Sequence, residues 1–135
     1  MLVTVLMLAM TTGCEPTRTL VPKTEAYLQD VPVPTTFKFD PAHSSDLAGT
    51  DAEERFVNYQ YTGRAYYTDV VAFYKRNMPI ERWELKQELG TAGQKKLVFH
   101  KTAGVDATAR PPRCIVTIIA GNEMATGIQI LRMGP

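Results

Sequence analysis

The side chains best suited to hydrolytic catalysis lie together at one point of the chain. His43 is followed directly by Ser44, Ser45 and Asp46. A serine nucleophile needs a base and an orienting carboxylate held in a fixed geometry. These residues are sequence neighbours in a polar stretch, and no G-x-S-x-G turn presents either serine. The pattern does not favour a serine hydrolase, and we assign no catalytic residue and predict that the chain is not an enzyme.

The two cysteines have different surroundings. Cys114 precedes Ile115 and Val116 in an apolar stretch, where burial raises the pKa of a thiol and hides it from substrates. We therefore predict an inert, buried Cys114. Cys14 ends the uncharged run Met1–Gly13, which is shorter than the roughly 20 residues of a membrane-spanning helix. The run has the length of the apolar core of a signal peptide; the alternative is a buried N-terminal strand.

The uncharged run Met1–Gly13 with its small residues and Cys14 resembles a bacterial lipoprotein signal. In that family the peptide is removed just before the cysteine, which then carries fatty acyl chains such as palmitate. The resemblance implies a signal peptide over residues 1–13, lipidation of Cys14 and a place in the cell envelope, facing the periplasm. Glu15 after the cysteine implies the outer membrane rather than the inner one, where two membranes are present.

Metal, cofactor and nucleic-acid sites lack support in the sequence. The histidines His43 and His100 have no second ligand at the spacing of a metal motif. The glycines form no phosphate-binding pattern, and the basic pairs Lys75-Arg76 and Lys95-Lys96 are isolated rather than part of a basic stripe. We predict no metal, no cofactor and no nucleic-acid partner.

Size and composition indicate one folded domain. The chain has 135 residues, 44% of them hydrophobic and 21% charged, with a net charge of +1, which is typical of a globular protein. Residues 14–36 contain several prolines, which keep a segment extended and remove backbone donors. We therefore predict a tether over 14–36 and a single domain over 37–135.

Hydrophobic periodicity predicts an α+β domain. Alternation indicates strands, and a three-turn amphipathic pattern from Thr68 or Asp69 to Asn77 indicates a helix that Pro79 ends. The prediction is a two-layer sandwich with the order β-α-β-β-β-β, in which the helix packs on one face of a mainly antiparallel sheet of four to six strands. The five strands of this order lie at 55–62, 83–89, 95–100, 113–120 and 127–131, with loops at 40–53 and 102–112; a short edge strand at 36–39 is an optional sixth.

A second resemblance rests on the helix and the residues after it. Asp69-Val70-Val71-Ala72-Phe73-Tyr74, followed by Met78-Pro79 and Trp83, is similar to a segment of small uncharacterised bacterial lipoproteins. There a D-V-x-x-F-Y helix runs into M-P and G-W, and here Arg82 stands in place of the glycine. The resemblance covers most of residues 31–131 and implies the fold and the envelope location, with no catalytic residue.

One face of the predicted sheet keeps apolar side chains that the helix does not cover. These side chains are Val98, Ile115, Ile119 and Leu131. A sheet face that meets water is normally polar, and an apolar patch of this kind marks an interface. Either the segment Val31–Phe39 folds over it, or a partner does.

The leading hypothesis is a non-enzymatic, lipid-anchored binding or accessory module of the cell envelope. It is held to the membrane by the N-terminal lipid and binds a protein partner, or a second copy of itself, through this face. One alternative is a small envelope enzyme or anionic-ligand binder that uses the 102–113 loop, with His100, Arg110 and Arg113 as an anion cradle. Another is a structural envelope spacer, with the basic residues Lys75 and Arg76 on the outer side of the helix.

Overall fold

The chain forms one antiparallel sheet and a helix. The computed structural model describes residues 19–23, 27–48, 55–102, 111–122 and 124–134. The predicted signal peptide, Cys14 and Arg110 lie outside the described residues. The helix α1 covers Tyr67–Asn77, and 3-10 turns cover Pro41–His43 and Met78–Glu81. The strands are β1 (Lys38–Phe39), β2 (Ser45–Ala48), β3 (Arg55–Arg64), β4 (Trp83–Thr91), β5 (Gln94–Lys101), β6 (Arg113–Ala120) and β7 (Ala125–Met133).

Within the described ranges, the seven strands form one sheet with the order β1-β3-β7-β6-β5-β4, and β2 pairs with β3 beside β1. Every pair is antiparallel. The predicted α+β class, with a mostly antiparallel sheet and a helix, is confirmed. The expected number of four to six strands is wrong by one. The additional strand is β2, in the stretch predicted to be a loop, where four residues carry too little alternation to be recognised.

The buried apolar residues form a single cluster between α1 and one face of the sheet. The helix contributes Val70, Phe73 and Tyr74, which recur on one side of a 3.6-residue period. Asn77 ends the helix, as predicted, since Pro79 has no backbone N–H to continue the ladder. The sheet contributes Val57, Tyr59, Tyr61, Trp83, Leu97, Phe99, Cys114, Val116, Ile118, Ile128 and Ile130.

The described part of the expected tether packs against the domain instead of standing away from it. Val31, Val33 and Phe37 are 0%, 1% and 0% exposed and belong to the same cluster. Backbone hydrogen bonds fold the segment on itself, from Lys23 N to Val33 O at 2.8 Å and from Thr35 N to Val21 O at 2.9 Å. The proline-containing segment is therefore docked on the domain, because the apolar side chains between its prolines are buried in the same cluster as those of the helix.

Arg82 has a left-handed backbone conformation, with φ 64° and ψ 28°. It follows the 3-10 turn and leads directly into Trp83. A side chain in this region clashes with its own backbone, whereas glycine adopts it without cost. The conformation explains why a glycine suits this position and shows that Arg82 is held there by its surroundings.

We expect Arg82→Gly to stabilise the protein. Relief of the left-handed strain should raise the free energy of unfolding by about 0.5–1 kcal/mol, after the larger chain entropy of glycine in the unfolded state is subtracted. Equilibrium unfolding in urea measures the change. Ala72→Gly, at an exposed helical position, is the control and should lower the same quantity by about 1 kcal/mol. A loss of stability at both positions would contradict the strain argument.

Candidate functional site

The four residues predicted to form a partner face lie on the side of the sheet opposite α1. Val98, Ile115 and Leu131 stand directly beside one another on β5, β6 and β7, so they form one row across three strands. Ile119 points the same way, four residues beyond Ile115, and is 43% exposed. The other three are half-buried. We call this surface, opposite α1, the open face.

Further apolar side chains that sequence reasoning did not assign extend the open face. Leu47, Phe56 and Met133 form a second row across β2, β3 and β7. Leu47 is 62% exposed and Phe56 is 40% exposed. Leu89 on β4, 46% exposed, adds to the far side. Soluble proteins rarely expose so many neighbouring apolar groups unless the surface is an interaction site.

The segment Val31–Phe39 does not cover the open face. Its buried side chains Val31, Val33 and Phe37 lie in the cluster on the helix side. The ring of Phe39 also lies on that side, with its centroid 5.2 Å from that of Tyr59. The alternative in which this segment folds over the apolar face is therefore wrong, because its apolar side chains pack into the cluster on the helix side.

Polar side chains lie among the apolar rows of the open face. Gln129 Nε2 donates to Asn58 Oδ1 at 3.1 Å, and both side chains point away from the helix. Glu84, Lys96 and Arg113 also lie on this face. The open face is therefore mixed, with polar and charged side chains standing among its apolar ones.

Two members of the predicted anion cradle are brought together on the open face. His100 on β5 pairs directly with Arg113 on β6, whereas Arg110 lies outside the described residues. The neighbour of His100 on β4 is Glu84, whose carboxylate is 3.0 Å from the ammonium of Lys86. A carboxylate beside the imidazole opposes the binding of an anion there.

A shallow depression of about 240 Å³ lies at the tip of the β4–β5 hairpin. Sites for small molecules generally enclose roughly 300–1,000 Å³ and bury most of the ligand. This depression is smaller and open to solvent, and it adjoins the open face because Gln94 pairs with Ile119. It is better described as a margin of the open face than as a ligand pocket. Its lining residues are Leu89, Gly90, Thr91, Gln94 and Lys96.

Cys114 and Ser44, two of the candidate nucleophiles, have structural roles. Cys114 is fully buried, as predicted, and burial raises the pKa of its thiol. The Ser44 hydroxyl donates to the Asp40 carbonyl at 2.6 Å and accepts from the backbone N–H of Gln60 at 2.9 Å. His43 contacts the carboxylate of Asp40 at 2.7 Å. These bonds fasten the turn before β2.

The helical basic pair proposed for an envelope spacer also makes contacts within the domain. Lys75 Nζ lies 2.8 Å from the Glu88 carboxylate on β4. Arg76 Nη2 donates to the Leu20 carbonyl at 3.0 Å. Arg76 thus fastens the N-terminal segment to the helix.

A partly buried charge cluster, unnoticed in the sequence, joins the N-terminal segment to the sheet. The Asp30 carboxylate lies 2.9 Å from Lys101 Nζ and 3.0 Å from Arg132 Nη2. The Asp30 carbonyl accepts from Trp83 Nε1 at 2.7 Å, and Lys101 Nζ lies 4.4 Å from the centroid of the Trp83 ring. Because Asp30, Trp83, Lys101 and Arg132 are far apart in sequence, no local pattern predicts that they meet. We call them the Asp30 cluster.

The ionised form of Asp30 is favoured in the cluster. Burial of the carboxyl group opposes ionisation, but hydrogen bonds from Arg132 and Lys101 outweigh burial and lower the pKa of Asp30. Both basic side chains face this carboxylate and compensate its charge. The arrangement acts as a clamp between the segment and the sheet.

Metal binding and membrane spanning can be assessed only over the described part of the chain. There, no three His, Cys, Asp or Glu side chains gather as a metal site would require. In the same ranges, no helix is long and apolar enough to cross a bilayer. Comparison of the chain with protein-family models, with curated proteins and with solved structures gives no match in any of the three.

Proposed function

We propose that this chain is a lipid-anchored, non-enzymatic binding module of the bacterial cell envelope, a two-layer sandwich that meets its partner through the open face. The observation that carries the proposal is the group of exposed apolar side chains on the face of the sheet opposite α1. The segment Val31–Phe39, one of the two alternatives for covering it, is docked on the other side, and Leu47, Phe56 and Ile119 remain 62%, 40% and 43% exposed. A protein partner that covers this surface would remove it from water.

The proposed anchor holds the domain close to the membrane. In this proposal Cys14 carries the lipid, and two or more acyl chains keep the protein on the bilayer. Thr19, the first residue that the structure describes, is five positions after Cys14. Five residues span at most about 18 Å, so the domain stays near the lipid surface, on the outer membrane where the host has one.

One experiment in bacterial cells tests both the lipid anchor at Cys14 and partner binding through the open face. A tagged full chain is produced in a bacterial host fed an alkyne fatty acid, together with a variant carrying Ile115→Thr and Ile119→Thr. Threonine suits a strand, so the variant should fold, yet capture of the partner should fall by at least about tenfold because apolar contact is lost at the interface. Cys14→Ala should abolish the fatty-acid label.

A matched pair of exposed apolar residues outside the open face serves as the control. Val21 and Ile80 are 60% and 71% exposed, and their double threonine variant should capture the partner like the unaltered chain. Equal capture by the open-face variant would refute the binding face. A label that persists in Cys14→Ala would refute the anchor.

A further inference from the structure

We infer that the partner of the open face is an acidic protein, which lays a polypeptide segment with several carboxylates across the sheet. The inference deepens the proposed function, on which it rests, by naming the chemistry of the partner. It is carried by the charges of the open face. The strand registers and the alternation of side chains place four exposed basic residues there, which are Lys38, Arg64, Lys96 and Arg113.

The four basic side chains exceed the carboxylates near them. Among the ion pairs of the described residues, none includes any of the four. Glu84 lies on the open face, but its carboxylate is 3.0 Å from Lys86 Nζ. Asp40 follows β1, and its carboxylate is 2.7 Å from His43 Nδ1. The described part of the open face therefore has a net positive charge, which attracts an anionic partner and repels a basic one.

Carboxylates on the helix side of the sheet are already paired with basic groups. Glu88 on β4 binds both Lys75 and Lys95. Lys95 and Lys96 are neighbours on β5 and point to opposite sides of the sheet. Lys95 has its carboxylate, whereas Lys96 is exposed and forms no ion pair with a described residue. The unpaired positive charge thus belongs to the open face.

The spacing of the basic groups fits an extended acidic chain better than a single small anion. Lys38 pairs with Thr62, two positions from Arg64, so Lys38 and Arg64 are diagonal neighbours about 7–8 Å apart. Lys96 on β5 is three strands away from Arg64 on β3, which is roughly 14 Å or more. A small anion reaches one or two of these groups. A polypeptide with several Asp or Glu side chains can contact them in succession.

A polar row within the open face favours a protein over an anionic bilayer. Gln60, Gln129 and Thr117 stand side by side on β3, β7 and β6, and Thr117 lies between Ile115 and Ile119. Hydrocarbon offers amide and hydroxyl groups no hydrogen bonds, so their transfer into it is costly. A polypeptide offers backbone donors and acceptors to this row, and its apolar side chains can cover the isoleucines on either side.

Co-sedimentation with the anchored full chain tests the inference. The chain is reconstituted through its N-terminus in sucrose-loaded vesicles of phosphatidylcholine, which has no net charge. Three fluorescent probes are added separately: a random copolymer of glutamate and tyrosine, the corresponding copolymer of lysine and tyrosine, and small vesicles of phosphatidylglycerol. Only the glutamate copolymer should sediment with the chain. Raising the salt concentration from about 20 mM to about 300 mM should weaken its binding at least about tenfold, since salt screens the charges.

Two variants with the same change in net charge locate the binding. Arg64→Gln with Lys96→Gln removes two charges from the open face and should weaken binding of the glutamate copolymer at least about tenfold. Lys75→Gln with Lys95→Gln removes two charges from the helix side and should change the affinity by less than about twofold. Glutamine keeps much of each aliphatic stem, and protease resistance verifies that each variant is folded.

The other outcomes overturn the inference. Equal binding of the lysine copolymer would mean that charge does not select the partner. Sedimentation of the phosphatidylglycerol vesicles to the same extent as the glutamate copolymer would identify an anionic membrane. Absence of bound glutamate copolymer, or an equal loss in both variants, would leave the open face without an acidic partner.

The cell experiment of the proposed function separates the two proposals. Partner capture that depends on Ile115 and Ile119, without binding of the glutamate copolymer, retains the proposed function and loses this inference. Copolymer binding that depends on Arg64 and Lys96, in a chain that carries no fatty-acid label in cells, retains this inference and loses the anchor.

Discussion

Phe37→Ala is expected to lower the free energy of unfolding by about 3–5 kcal/mol, the usual cost of truncating a fully buried phenylalanine. Phe37 is 0% exposed. Its ring fills the space beside Gly63, where a Cβ atom would lie only 2.7–2.9 Å from the ring carbons. Truncation leaves a cavity between the docked segment and β3 that neither can close. Equilibrium unfolding in guanidinium, followed by the fluorescence of the single tryptophan, Trp83, measures the loss.

The same truncation at an exposed phenylalanine provides the matched control. Phe56 is 40% exposed on the open face, so Phe56→Ala should lose less than half as much stability. The comparison also decides between a tether and a docked segment. If Phe37→Ala changes the free energy of unfolding as little as Phe56→Ala does, Phe37 does not fasten the end of the predicted tether, residues 14–36, to the domain.

The regular elements could be predicted because their hydrophobic periods are local. Alternation predicted β3 over 55–62, and the structure extends it to Arg64. The helical period and Pro79 placed the end of α1 at Asn77, where it is found. The placement of Val98, Ile115, Ile119 and Leu131 on one face followed from the same alternation, since hairpin-linked strands keep side chains of one parity on one side.

The docked segment and the Asp30 cluster could not be predicted because long-range contacts create them. The bond from Trp83 to the Asp30 carbonyl joins residues 53 positions apart, and Arg132 is 102 positions from Asp30. No periodicity encodes such contacts. β2 was missed for a related reason: its four residues become a strand by pairing with β3, so Leu47 could not be assigned to the open face.

Asp30→Asn is expected to lower the free energy of unfolding by about 2 kcal/mol at pH 7, the second largest effect. The amide keeps the shape of the side chain but removes the charge that compensates Lys101 and Arg132, whose side chains are only 18% and 12% exposed. Charge-assisted hydrogen bonds contribute about 1.5–3 kcal/mol each, and partial exposure together with the remaining amide contacts reduces the loss.

The loss of stability caused by Asp30→Asn should depend on pH in a defined direction. The pKa of Asp30 is lowered in the folded state: burial opposes ionisation, but the hydrogen bonds from Arg132 and Lys101 prevail. A lowered pKa stabilises the fold above the unfolded-state value of about 3.9, and the contribution is lost as the pH falls through the folded-state value. The difference between the original chain and Asp30→Asn should therefore be constant from about pH 5 to 8 and shrink below about pH 4.

Urea unfolding of both proteins at pH 7 and pH 3 measures the difference directly. Asp46→Asn is the control, because Asp46 binds Arg55 in a pair whose side chains are 36% and 53% exposed, and water screens such a pair. The free energy of unfolding lost in Asp46→Asn at pH 7 should be much smaller. An equal loss for Asp30→Asn at both pH values would mean that packing rather than charge gives the residue its importance. A loss confined to the higher pH identifies ion pairing as the force that clamps the N-terminal segment to the sheet.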